Sequence, residues 1–131
     1  RGAKEYGVGE IRFRVPARQK HPVSTYGLLF DFKPSVSLIA DTKYYEGIEE
    51  LYRADVVIIN VVFYEDRPGI EHLSLGDARK IIQDMKPQTA ILTHFGMTML
   101  THKPHILAED LSDELNTRVL AAYDGMKFIL T

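Results

Sequence analysis

Val36-Ser37-Leu38-Ile39-Ala40-Asp41-Thr42 and Thr89-Ala90-Ile91-Leu92-Thr93-His94-Phe95 decide the fold, because each is an apolar run that closes on one side chain able to bind a metal. Short apolar runs of this kind, bounded by polar residues, read as buried strands. A carboxylate and an imidazole at the carboxyl ends of two such strands share one crevice, and that edge is where open α/β sheets bind ligands. The two runs together read as half of a metal site.

Between them lies Val56-Val57-Ile58-Ile59-Asn60-Val61-Val62-Phe63, too continuous and too β-branched for a surface helix, which predicts a central strand with Asn60 as its odd member. Ser74-Leu75-Gly76-Asp77 has the S-x-x-D form of a helix start, and Ala78, Ile81, Ile82 and Met85 mark one helical face as far as Lys86-Pro87. Tyr44, Ile48, Leu51 and Tyr52 recur at helical spacing and predict a second helix over 44–53. Strand, helix, strand, helix, strand across 36–94 argues for adjacent parallel strands joined by right-handed crossovers.

Outward from this centre, Ile11, Phe13 and Val15 alternate with Arg12 and Arg14 as a half-buried strand. Tyr26, Leu28, Phe30 and Phe32 form another alternation, expected to pair with 36–40 as a hairpin around Lys33-Pro34-Ser35. A last helix is expected from about Pro104, with Ile106, Leu107, Leu111 and Leu115 inward. Asp124-Gly125 between two apolar runs predicts a closing β-hairpin over 119–130.

With 131 residues, 45% hydrophobic and 26% charged, the chain is expected to form one domain, 1–131, with an ordinary soluble core. Sixteen basic residues against 18 acids give a net charge of −2, so no global basic field recruits nucleic acid. Arg12, Arg14, Arg18 and Lys20 form one modest basic segment. The absence of cysteine excludes disulfides, thiolate ligands and a thiol nucleophile, and it suits a reducing cytoplasm. No apolar run approaches the roughly 18 residues of a membrane span, and nothing at the start reads as a signal peptide. Nucleotide-binding and nucleophilic-serine motifs are missing, Gly7-Val8-Gly9 being too short to count.

Asp41 can ligate or bridge metal ions or, alternatively, cap the next helix, since Asp and Thr both favour that position. His94 closes a strand too apolar to be exposed and is a natural zinc ligand or a satisfied structural imidazole. The coincidence of both at equivalent topological positions favours the metal. His72, in the loop before the Ser74 helix start, can donate a proton to a substrate oxygen or stand in solvent. His21, before Pro22, is read as a turn residue. His102 and His105 can form a surface metal pair but read as loop and first-turn residues. Asn60 needs a hydrogen-bond partner if buried.

Ser37-Leu38-Ile39-Ala40-Asp41-Thr42, Glu71-His72-Leu73-Ser74 with Asp77-Ala78, Ile91-Leu92-Thr93-His94-Phe95 and Tyr123-Asp124-Gly125-Met126 together resemble the carboxyl-terminal half of the metallo-β-lactamase superfamily, over roughly residues 20 to 130. The resemblance lies toward its transfer-RNA-processing and phosphodiesterase-like branch. It implies an αββα sandwich, of which this chain is a mixed β-sheet with covering helices, and a zinc-dependent hydrolase with a dinuclear site. Asp41 would bridge the two metals, His94 would hold one, and His72 would stand near the scissile group. Manganese or iron(II) is compatible with the same ligands.

The superfamily's H-x-H-x-D-H motif does not occur in the sequence. Asn60 stands where transfer-RNA-processing relatives carry a glutamate, and Gly96-Met97-Thr98 stands where an arginine is expected. The expectation is therefore part of a longer hydrolase acting on a phosphodiester or ester, poorly active alone. The alternative is a non-catalytic binding or assembly module built from the same half-fold; a nucleic-acid-binding domain is a third class, resting on the one basic segment alone. The expected partner is the amino-terminal half of the fold or a second chain, with a homodimer the simplest arrangement. Nucleic acid enters only as substrate.

Overall fold

The computed structural model describes residues 4–8, 11–15, 27–30 and 33–130, the first two stretches by backbone alone. Among the described residues seven strands form one sheet in sequence order: β1 (Lys4–Val8), β2 (Ile11–Val15), β3 (Leu28–Phe30), β4 (Val36–Ile39), β5 (Val56–Asn60), β6 (Thr89–Thr93) and β7 (Arg118–Ala121). Neighbours from β1 to β4 run antiparallel, and those from β4 to β7 run parallel. The mixed α/β architecture and the β3–β4 hairpin are as the sequence predicts; His21, Tyr26 and Phe32 lie outside the described residues.

The parallel strands divide their side chains by period two. Ile39, Val57, Ile59, Ala90, Leu92 and Val119 enter the main core with the helices, while Val36, Val56 and Ile91 pack on the opposite face beneath Phe30, Ile58, Ala122 and Phe128. Four helices are described: α1 (Ile48–Leu51), α2 (Leu75–Met85), α3 (Met97–Thr101) and α4 (Pro104–Leu115). α2 begins as predicted. The Ser74 hydroxyl accepts the Asp77 N–H, and the Asp77 carboxylate accepts the Ser74 N–H at 3.0 Å. Leu75, Ala78, Ile81, Ile82 and Met85 are buried, and each large side chain among them contributes about 1.5–3 kcal/mol.

Three expectations are corrected. The helix expected over 44–53 is one turn, because Gly47 sits in the left-handed region at φ 92 and starts α1 only at Ile48. In α4 the inward residues are Ala108 and Leu111, with Leu107 and Leu115 packed beside them. Ile106 is 43% exposed, since helical periodicity puts it on the side away from Ala108 and Leu111. The closing hairpin is half formed. Asp124-Gly125 does turn, with Met126 N–H donating to Tyr123 at 2.9 Å, but β7 pairs parallel with β6, and 126–130 form no strand because Phe128 folds onto the second face of the sheet. The Arg118 guanidinium carbon lies over its ring, 5.3 Å from the centroid.

Candidate active site

Parallel strands place their carboxyl ends together, and the chemistry-bearing residues follow from that polarity. Asp41 stands just beyond β4 and His94 just beyond β6, with β5 between them. At about 4.8 Å per strand spacing, the two ends lie roughly 10 Å apart, a gap that a carboxylate and an imidazole can span with a cation between them. Both residues take the left-handed backbone conformation, φ 46 at Asp41 and φ 60 at His94. This region is uncommon for residues other than glycine, and its use tends to mark functional positions. Gly47, not Asp41, occupies the N-cap of α1, which removes the capping explanation for Asp41. His94 is exposed and Asp41 half-buried, while the strand before His94 is buried along residues 89–92, as its apolar sequence predicts.

The third predicted residue arrives on a loop with fixed ends. After β5 the chain leaves the sheet, and Leu73 returns its carbonyl to the N–H groups of Val62 and Phe63, while Leu75 N–H donates to Phe63 at 2.8 Å. The Ser74 hydroxyl also donates to Asp66, tying the start of the loop to the α2 cap. Lys43 and Glu71 pair at 3.9 Å across to the segment after Asp41. His72 is held half-buried with its ring edge-on to Phe63, centroids 6.1 Å apart and planes at 74°. Asn60, buried at the end of β5, is in register with Thr93, immediately before His94.

Sequence reasoning missed the segment after His94. Gly96 N–H donates to Val62 at 3.0 Å, and a Cβ on Gly96 would fall 2.7 Å from the same carbonyl, so only glycine lets α3 begin there. His102 closes α3 and stacks flat on Tyr64 at 3.6 Å, its Nδ1 2.8 Å from the Thr98 carbonyl oxygen. His105 falls in the first turn of α4, and both histidines are exposed. That agrees with loop and first-turn roles.

Asp41 and His94 have the donor chemistry of a zinc, manganese or iron site. Among the described residues no group of three histidine, aspartate or glutamate side chains comes together. A catalytic zinc takes about three protein ligands and keeps a position open, so the pair fits as part of a donor set.

Residues 3–95 match the family described as the beta-lactamase superfamily domain. The chain belongs to the metallo-β-lactamase superfamily. The metallo-β-lactamase fold protein YhfI from Bacillus subtilis superposes with a TM-score of 0.79 at 21% identity, over 94% of this chain and 51% of that one. A diphosphatase of the PhnP family gives 0.70 at 20%, over 95% and 45%. The short form of human tRNase Z gives 0.68 at 15%, over 96% and 46%. The chain thus spans about half the length of the solved structures it matches. Comparison with curated proteins finds no match. No described helix is long and apolar enough to cross a membrane.

Proposed function

We propose that this chain is the carboxyl-terminal half of a metal-dependent hydrolase of the superfamily, acting on a phosphodiester ahead of an ester. The observation that carries the reading is the pair of strained ends. Asp41 and His94 adopt the left-handed conformation at the carboxyl ends of β4 and β6, where no capping role remains for Asp41. A phosphodiester is favoured because the superposed proteins include a diphosphatase and a tRNase Z.

Asp41 through its carboxylate and His94 through its imidazole would be the residues of this chain that hold a dinuclear zinc site. A bound metal would supply an activated water and polarise the substrate oxygen. His72, steadied by Phe63, is assigned to hold a proton near the leaving oxygen. The other ligands come from the amino-terminal half of the fold or from a second chain, in a cytoplasmic protein. Met97 at 75% exposure and Leu100 at 51% follow the strand end of His94, and Ile70 at 46% follows that of β5, which favours an apolar contact at this rim.

Calorimetric titration with zinc tests the assignment. Asp41→Asn and His94→Ala should each weaken binding by at least about tenfold, the loss usual even for residues that only support a ligand. Zinc binding indifferent to both substitutions would refute it and favour a non-catalytic assembly module. Sedimentation should show a homodimer, and a monomer at all concentrations would remove the second-chain arrangement.

A further inference from the structure

We propose that Arg67 is an anion-binding residue of this site, contacting a phosphate-type oxygen of the substrate alongside His72. The inference deepens the hydrolase reading and rests on it for the identity of the anion. Its basis is a three-member array. The Arg67 guanidinium carbon lies 5.0 Å from the centroid of Phe63, and the same ring meets His72 edge-on at 6.1 Å. A guanidinium over an aromatic face is held in place without spending its N–H donors, since the attraction is to the ring rather than to an acceptor.

Two of the neighbouring carboxylates already have partners of their own. Glu71 on the same loop is paired with Lys43, and Asp66, the neighbouring carboxylate, takes the Ser74 hydroxyl. Among the described residues Arg67 has no carboxylate partner. The loop is pinned at both ends and turned at its tip, where Ile70 N–H donates to the Arg67 carbonyl at 3.1 Å. The result is a fixed, exposed fork of donors sharing one ring with an imidazole, on the edge that carries Asp41 and His94. A planar fork suits tetrahedral oxyanions, which it meets with two parallel hydrogen bonds.

The test is a titration of the metal-free chain with inorganic phosphate, followed by the side-chain NMR resonances of Arg67 and His72 at constant ionic strength. Both sets should shift together. Arg67→Ala should weaken the phosphate affinity about tenfold or more, the scale of a lost charged hydrogen-bonding group, and Arg67→Lys should lie between. Equal affinity in the parent and Arg67→Ala overturns the proposal, and so does the absence of phosphate binding in the parent. Zinc uptake by Arg67→Ala, measured in parallel, should equal that of the parent. Zinc binding left unchanged by Asp41→Asn and His94→Ala in the same series would sink the hydrolase reading while leaving the anion result to stand by itself.

Discussion

Replacing Gly27 by alanine probes how the sheet is held against α1. An added Cβ would fall 2.4 Å from the Tyr52 hydroxyl, 2.5 Å from its Cε1 and 2.6 Å from the Leu38 carbonyl oxygen. Tyr52 is fully buried and Leu38 is ladder backbone in β4, so neither contact can be relieved by swinging a free side-chain end into solvent. Overpacking of this kind costs about 1–3 kcal/mol, and three contacts place it near the upper end. The alanine restricts the unfolded chain and returns roughly 0.4–1 kcal/mol, leaving a net loss of about 2 kcal/mol. With an unfolding entropy of about 2.1 cal/mol/K per residue over 131 residues, the melting temperature should drop by about 7 °C. Circular dichroism melts measure this directly. The Gly27→Ala, Tyr52→Leu double variant should lose less than the sum of the two single losses, because part of the clash goes with the ring. Gly27→Ala at parental stability, or strictly additive losses, would refute the packing argument. Gly76, which has only ordinary contacts near 3.7 Å inside α2, is the internal control and should gain about 0.5–1 kcal/mol on becoming alanine.

His94→Gly should leave metal-free stability unchanged or raise it by up to about 1 kcal/mol, since glycine adopts positive φ without strain, while zinc binding is lost. Melts with and without zinc check both halves of that statement. Ser74→Ala removes the acceptor for the Asp77 N–H and the donor to Asp66, and should cost about 1–2 kcal/mol in urea denaturation. Tyr52 and Tyr45 have phenol pKa values raised by burial, with Tyr45 adding to the effect at Tyr52. Their neutral forms are favoured when folded, so that stability is fully present below about pH 10, the unfolded tyrosine range, and is lost as pH rises above it. Urea midpoints from pH 8 to 11 should fall, and Tyr52→Phe should flatten the fall.

The parts legible in the sequence were those whose cause is local. Ser74 and Asp77 are three residues apart and close a capping box with each other, so the start of α2 needed no tertiary information. The runs around Val57 and Ile91 could only be buried strands. Gly47 defeated the helix expected over 44–53, because apolar spacing does not report the backbone angle that one residue will take. The closing hairpin failed for another reason. Phe128 was free to choose between a strand partner and the apolar face formed by Val36, Val56 and Ile91, and that face exists only after the sheet has assembled. The positions of Asp41 and His94 at strand ends were readable from where the apolar runs stop. Their left-handed backbone was not, nor was the grouping of Arg67, Phe63 and His72, which depends on the path of a loop rather than on any spacing.

The left-handed turns at Asp41 and His94 also separate two design problems within one chain. A side chain still inside a strand is aimed by the pleat, so any slip in register would swing it to the other face. These two residues leave the pleat before they point anywhere. The interior can therefore drift, exchanging one aliphatic residue for another along β4 and β6, while the aim of the carboxylate and the imidazole is inherited unchanged.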